Sequence, residues 1–330
     1  MKKQLRKAMI CTVAMMLVAV LTLTGVTYAW FSKSDSAQVT DMTINVEARD
    51  GGVYISTDKY ANFGTSIDIP VDANTKFNPA STAGTLDDNG KLKFFNGALE
   101  SPMDDTLEIT ALTSPSGYYI EQEVYFDNST GGGTLVVNLT DPTGIGIVTS
   151  TNSNRKIQAA TRIAIVTHGS LTVDEFNTNK LTDAEYPIGT PTVQILETNP
   201  NEHTSTGINE YKILTGKTSV GASEVFSYYY GVNAVPASGA EINRYNKKLN
   251  VTDPDIAELT KLEHVEGSIL KSDPANVEIK IPAYSYLKTI VYVWIEGQDP
   301  DCQNDVSGVP FTVNLNFTKA RMEYAEEAGS

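Results

Sequence analysis

Cysteine is nearly absent from this chain, which has 330 residues and two cysteines. Disulfide-rich scaffolds and four-cysteine zinc sites are therefore excluded. Basic residues are also few, with 25 Lys and Arg against 40 Asp and Glu and a formal net charge of -15. Nucleic-acid-binding proteins need a basic surface that neutralises phosphates, so this class is excluded as well. Hydrophobic residues make up 41% of the chain, which is enough for a folded core and excludes wholesale disorder.

The longest hydrophobic run lies at the N-terminus. Residues 1–7 carry four positive charges, residues 8–32 are uncharged, and the apolar residues are densest from Ala8 to Leu21. A basic head, an apolar centre and a small-residue exit at Thr27 and Ala29 are typical of a secretory signal peptide. Cleavage after Ala29 makes Trp30 the first residue of the exported chain. The alternative is an uncleaved membrane anchor, because the uncharged run is long enough to span a bilayer.

The residues around this cleavage site resemble the start of a known family. The stretch Gly25-Val-Thr-Tyr-Ala-Trp-Phe-Ser-Lys-Ser-Asp-Ser-Ala37, followed by a strand-like segment, is similar to the N-terminus of TasA/CalY (camelysin) proteins. These are exported Gram-positive proteins, several of them subunits of biofilm-matrix fibres, and they are processed by the SipW signal peptidase. The resemblance covers mainly residues 8–48. It implies cleavage after Ala29, secretion to the cell surface or biofilm matrix, and three partners: a SipW-type peptidase, other copies of the chain, and related matrix subunits.

Removal of the leader makes the chain more acidic. Residues 1–29 contain four of the 25 basic residues and no acidic residue, which leaves 21 basic against 40 acidic residues and a charge of -19. A surface of this kind repels its own copies at low salt and attracts cations.

After the leader, apolar and polar residues alternate in short runs, a pattern that predicts half-buried strands. In Val39–Ala48 the apolar positions Met42, Ile44 and Val46 share one face. The other predicted strands of the core are Tyr118–Phe126, Leu135–Leu139, Arg162–Val166, Thr289–Ile295 and Phe311–Thr318. Thr289–Ile295 is apolar on both faces, as in a central strand, and Gly131–Gly133 predicts a hairpin turn before Leu135. The sequence therefore predicts an all-β fold, a jelly roll or β-sandwich with little helix outside the signal segment.

The middle of the chain has a different composition. Between His168 and Ala275 it is rich in Asn, Thr, Ser and Pro, with strand-like pieces at Val193–Leu196, Tyr211–Leu214 and Val225–Tyr230. A helix is predicted from Asp255 to Leu262. The predicted organisation is a signal peptide (1–29), a β-sandwich core (30–166 and 276–319), an insertion or second subdomain (167–275) and a flexible tail (320–330), since a structureless loop of that length is unusual in a compact domain.

Motifs for catalysis are missing. The histidines His168, His203 and His264 stand apart, and no His-Glu-x-x-His pair is present that would hold a catalytic zinc ion. There is no Gly-x-Ser-x-Gly elbow, and Cys302 has no histidine near it in sequence. The sequence therefore predicts a protein that is not an enzyme, with its histidines on the solvated surface. A camelysin-like protease, with a triad assembled from distant residues, is the alternative.

One acidic loop, Glu296–Asp305, offers the oxygen ligands that Ca²⁺ prefers, namely Asp299, Asp301, Asn304 and Asp305. It lacks the glycine and terminal glutamate of an EF-hand. The preferred interpretation is a polar hairpin with its acids in solvent, and a calcium site is the alternative; no other cofactor is predicted. Cys302 in this loop is a free thiol, a partner in an intermolecular disulfide, or a buried thiol.

The family resemblance implies assembly through the N-terminal strand. A strand carrying Met42, Ile44 and Val46 would leave its own domain and complete the sheet of a neighbour by β-augmentation. Such a contact does not close on itself, so it produces filaments. The alternative is a strand that pairs within its own sheet. A second functional class is an extracellular adhesin or carbohydrate-binding module, in which aromatic residues such as Phe226–Tyr230 would stack on sugars.

Overall fold

The computed structural model describes residues 37–47, 53–71, 76–98, 106–141, 146–150, 155–198, 203–205, 207–209, 212, 218–221, 248–250, 269–297, 299, 301–302 and 309–324. Strands account for 52% of the described residues, and the predicted all-β fold class is confirmed. Within these ranges, no helix has both the length and the apolar character needed to cross a membrane.

The strands run through the chain in short segments. They are β1 (Ala37–Glu47), β2 (Tyr54–Ser56), β3 (Ser66–Ile69), β4 (Lys76–Phe77), β5 (Phe94–Ala98), β6 (Thr106–Leu112), β7 (Tyr119–Asn128), β8 (Thr134–Thr140), β9 (Val148–Ser150), β10 (Thr161–Thr172), β11 (Thr192–Glu197), β12 (Lys248–Asn250), β13 (Leu270–Lys271), β14 (Glu278–Ile281), β15 (Ser285–Ile295) and β16 (Pro310–Glu323). The helical elements are α1 (Arg155–Ala160), α2 (Val173–Thr182) and a 3₁₀ turn at Pro274–Asn276.

Two large sheets form a sandwich. The first has the strand order β14-β8-β16-β1-β3, with β4 also paired to β1 and β9 to β16. The second has the order β13-β11-β10-β15-β7-β2, and a small third sheet has the order β12-β6-β5. One apolar core receives buried side chains from both large sheets, which therefore pack face to face.

Strand β15 explains why one stretch of sequence is apolar on both faces. Val291, Val293 and Ile295 belong to the core between the large sheets, whereas Tyr292 and Trp294 belong to a second apolar cluster on the outer side. In that cluster Phe94 covers the strand and stacks on Tyr119 with ring centroids 4.0 Å apart. Because β15 lies between β10 and β7 and is covered on both faces, the predicted central strand is confirmed.

The predicted hairpin at Gly131–Gly133 is wrong. Strand β7 lies in the second sheet and β8 in the first, so the glycine turn carries the chain from one sheet to the other. The buried amide of Asn128 donates to the carbonyl oxygens of Gly133 at 3.0 Å and Pro282 at 2.8 Å and so fixes this crossing. A Cβ on Gly133 would lie 2.8 Å from the carbonyl oxygen of Glu323. The glycines serve close packing at the crossing, which a turn signal alone does not distinguish from a hairpin.

The observed boundaries differ from the predicted organisation. Strand β10 continues to Thr172, and β11 and β13, both from the predicted insertion, lie in the second sheet. At the other end, β16 continues to Glu323, four residues into the predicted tail. The predicted segments Val225–Tyr230 and Asp255–Leu262 lie outside the described residues, as does most of Tyr211–Leu214.

Helix α2 was not predicted, although its sequence signal is present. Thr172 and Glu175 form a capping box, in which the Thr172 hydroxyl accepts from the Glu175 amide and the Glu175 carboxylate accepts from the Thr172 amide. Phe176 is the buried residue of this helix and stacks on Tyr286 with ring centroids 3.7 Å apart. Polar residues around this anchor hide the helical period, which is why the pattern of the middle region did not reveal it.

Candidate functional site

The predicted donor strand has its apolar face buried in its own sandwich. Met42 and Ile44 are fully buried and Val46 is 4% exposed, all in the core between the large sheets. Strand β1 pairs in parallel with β16 and in antiparallel with β3, so backbone hydrogen bonds hold it on both sides. The predicted cleavage residues Thr27, Ala29 and Trp30 lie outside the described residues.

The acidic loop after β15 is not the solvated hairpin that we expected. Asp299 and Asp301 are both 0% exposed. The loop folds back on the end of the second sheet, with the Glu296 amide donating to the carbonyl oxygen of Ala160 at 2.8 Å and the Cys302 amide to that of Asp299 at 2.9 Å. Buried carboxylates require partners, so the prediction failed because the sequence did not show what faces the loop. Asn304 and Asp305 lie outside the described residues.

Arg162 provides the positive charge opposite this loop. It is the second residue of β10 and is fully buried. Its guanidinium lies 3.1 Å from the Glu197 carboxylate and 2.5 Å from the Asp299 carboxylate. Glu197 is in place because β10 and β11 are antiparallel neighbours in which Arg162 and Glu197 are register partners. The guanidinium also donates to the carbonyl oxygens of Ala159 and, at 3.0 Å, Thr161.

His203 completes what we call the buried ion cluster, which consists of Arg162, Glu197, His203, Asp299 and Asp301. Its Nε2 lies 2.8 Å from Glu197 Oε1, and its Nδ1 lies 2.8 Å from Asp301 Oδ2. An ionised carboxylate only accepts hydrogen bonds, so a ring with carboxylates at both nitrogens donates from both and carries a positive charge.

The prediction of solvated histidines is therefore wrong for two of the three. The His203 side chain is 0% exposed, and His168 is also buried, with its Nε2 3.0 Å from the Gly90 carbonyl oxygen. Burial lowers the pKa of His168. His264 lies outside the described residues.

Two residues that follow His203, Thr204 and Gly207, pack against Asp301. The Thr204 amide donates to Asp301 Oδ2 at 3.1 Å, and the Thr204 hydroxyl donates to Asp301 Oδ1. The Gly207 amide donates to the Thr204 hydroxyl at 3.2 Å. A Cβ on Gly207 would lie 2.7 Å from both carboxylate oxygens of Asp301, so glycine allows this approach.

Charge and burial act in opposite directions on the ionisable groups of the cluster. Burial by itself would lower the pKa of His203, but the charge of Asp299 and the hydrogen bonds to Asp301 and Glu197 outweigh it and raise that pKa to about 10. Burial raises the pKa of Asp299, against the opposing effect of Arg162 and His203. The structure thus stabilises the charged imidazole and disfavours the negative charge of Asp299.

Another buried carboxylate lies beside the cluster. Glu296 is 0% exposed; its Oε1 accepts from the Ser81 hydroxyl at 2.6 Å and its Oε2 from the Trp294 indole N–H at 3.0 Å. Cys302 is buried and forms no disulfide with another described residue.

The buried ion cluster joins three parts of the chain that are distant in sequence: the start of β10, the segment from the end of β11 to His203, and the loop after β15. Arg162 and Glu197 were not among the predicted site residues. The available signal was one charged residue at one end of each of two apolar strand-like runs. Pairing these two residues requires knowledge of the strand register.

No protein-family model, curated protein or solved structure gives a significant match to this chain. The similarity of residues 8–48 to TasA/CalY proteins therefore stays a prediction from the sequence.

Proposed function

We propose that this chain is an exported structural protein of the cell surface or biofilm matrix, whose subunits assemble into fibres by exchanging strand β1. The observation that carries the proposal is the position of β1. It is the first strand of the described part of the chain, and it lies between β16 and β3 with its apolar face in the core. Its removal would open a slot in the first sheet that is complementary to the same strand of a neighbouring copy.

The energetics favour a filled slot. Val39, Met42, Ile44 and Val46 are each at most 4% exposed, and burial of such side chains stabilises a fold by about 1.5–3 kcal/mol each as an upper estimate. A neighbour's β1 would make the same contacts and the same backbone ladder as the chain's own strand. Exchange is therefore close to neutral in contact energy, and protein concentration decides between monomer and fibre.

Strand exchange leads to open growth because each subunit donates one strand and accepts one. Strand β1 ends at Glu47 and β2 begins at Tyr54, so a donated β1 stays covalently joined to its own domain. The predicted charge of -19 opposes contact between copies at low ionic strength, and salt screens this repulsion over a Debye length of about 8–10 Å. Assembly is therefore expected to increase with salt.

A reversible disulfide lock tests the proposal. Asn45 and Asn316 are register partners on β1 and β16, and neighbouring strands lie about 4.7–4.9 Å apart, within the range that a disulfide spans. We expect an Asn45→Cys/Asn316→Cys variant, oxidised as a monomer, to form no fibres in electron micrographs until it is reduced. The control is Asn138→Cys/Thr318→Cys, a lock between β8 and β16 at another register pair, which should leave assembly intact.

Fibres from the oxidised β1 lock would overturn the exchange mechanism. Glycan binding by locked monomers would instead favour the adhesin. N-terminal sequencing of secreted material tests the export step, since cleavage by a SipW-type peptidase predicts Trp30 as the first residue, whereas an intact N-terminus would indicate a membrane anchor.

A further inference from the structure

We propose that Glu197, His203 and Asp299 form a binding site for one zinc ion. Their ligand atoms lie within 4.8 Å of one another, and all three residues are buried. They come from the end of β11, from six residues further along, and from the loop after β15, so a bound ion would fasten these three parts of the chain together.

The donor set favours zinc over calcium. One imidazole nitrogen with two carboxylates is a set of ligands that Zn²⁺ accepts in a four-coordinate site with one position left for water. Calcium prefers six to eight oxygen ligands, and imidazole is a ligand of zinc, copper and nickel. Of the residues predicted to bind calcium, only Asp299 belongs to this set.

Asp301 acts as the residue that orients the histidine. Its carboxylate holds Nδ1 of His203 at 2.8 Å, which directs Nε2 toward Glu197 at 2.8 Å. A carboxylate on the far nitrogen of a metal-binding imidazole fixes the ring and makes it a stronger ligand. Thr204 in turn holds Asp301 through its amide and hydroxyl.

The exchange of charge is balanced. The five side chains of the buried ion cluster carry three carboxylates against Arg162 and the protonated ring of His203. Zinc on Nε2 replaces the proton there, which leaves to solvent, so Arg162 and the ion together carry three positive charges against the three carboxylates. Neutralising buried carboxylates in this way is favourable because an excess of buried charge of one sign is costly.

The test is zinc binding by the purified protein after treatment with a chelator and its removal. We expect isothermal titration with Zn²⁺ to give one site per chain. Glu197→Gln keeps the size of the side chain but removes its charge, and it should weaken binding at least tenfold. Asp301→Asn should weaken it about 10–100-fold, the range found for residues that orient a ligand.

The matched control is Glu123→Gln, which removes a half-buried carboxylate that pairs with Lys288 away from the cluster. It should bind zinc as the unchanged protein does. Zinc binding that all variants retain would place the ion elsewhere, and an absence of binding at micromolar zinc would show a metal-free ion cluster; either result overturns the proposal. If the Glu197 variant does not fold, X-ray absorption of the zinc-loaded unchanged protein gives the answer: an imidazole with oxygen neighbours supports the site, and a shell without imidazole contradicts it.

Discussion

Removal of the Arg162 guanidinium should destabilise this protein more than removal of one partner from an exposed ion pair. In Arg162→Met, the carboxylates of Glu197 and Asp299 lose a positive partner that lies 3.1 and 2.5 Å away, in a place where all three side chains are 0% exposed. Removing one partner of a buried ion pair lowers the free energy of unfolding by about 3–5 kcal/mol, because the remaining charge stays buried without a partner. The carbonyl oxygens of Ala159 and Thr161 lose a donor as well, so we expect a loss near the upper end of this range.

The matched control is Arg321→Met. Arg321 also contacts two carboxylates, those of Glu278 and Glu323, each at 2.7 Å, but its side chain is 44% exposed. Exposed pairs contribute about 0–1 kcal/mol, so this variant should stay close to the unchanged protein. The residue type, the substitution and the number of carboxylate partners are the same, so the two positions differ in burial and in the two carbonyl oxygens that Arg162 also contacts.

The assay is urea denaturation in the presence of a chelator, monitored by tryptophan fluorescence. Trp294 is a suitable probe because it is fully buried and is the register partner of Arg162. A domain is stable by about 5–15 kcal/mol in total, so the expected loss is a large fraction of that stability and is easily resolved. An Arg162 variant that loses less than about 1 kcal/mol, or no more than the Arg321 variant, would refute the reasoning that this charge is required where it lies.

Three further predictions concern the pH dependence and the close packing of the fold. In metal-free protein, the pKa of His203 is raised from 6.5 to about 10, so its stabilising contribution is complete below about pH 6.5 and is lost as the pH rises through about 10. The free energy of unfolding from urea denaturation should therefore fall from pH 7 to 10, by at most about 1.4 kcal/mol per pH unit, and its difference from that of His203→Gln should shrink over the same interval; a constant difference would contradict a charged ring. Gly207→Ala places a Cβ 2.7 Å from the Asp301 carboxylate and should cost about 1–3 kcal/mol in thermal or urea unfolding, whereas Gly64→Ala, whose nearest neighbour is at 3.9 Å, should change stability little. Asn128→Ala removes the amide that bonds the carbonyl oxygens at the crossing between the sheets and should cost about 1–3 kcal/mol in the same assay; an unchanged midpoint would show that the crossing does not depend on it.

The fold was predictable where the pattern of one strand carries the information. The alternation in β1 and β16 and the continuous apolar run of β15 follow directly from the burial of one face or of both. The assignment of β7 and β8 to different sheets was not predictable, because a glycine turn has the same local sequence whether it joins paired strands or crosses a sandwich.

The buried ion cluster was beyond sequence analysis for a related reason. Arg162 meets Glu197 through the register of β10 and β11, and both meet Asp299 only because the loop after β15 folds back on the same end of the sheet. His203 has no partner in its local sequence that would mark it as part of a site, and an isolated histidine is usually solvated. Long-range pairing, which a single sequence does not reveal, creates this site.

Assembly by strand exchange is the central claim, and a mixture of two single-cysteine variants tests it most directly. One variant carries Asn45→Cys on β1, and the other carries Asn316→Cys at the register partner on β16. In a monomer these positions face each other within one chain, so neither variant alone has a partner thiol at this register. We predict that fibres grown from the equimolar mixture, once oxidised, contain disulfide-linked heterodimers that mass spectrometry maps to these two positions. Fibres without this cross-link, in which β1 pairs with the β16 of its own chain, would contradict the account.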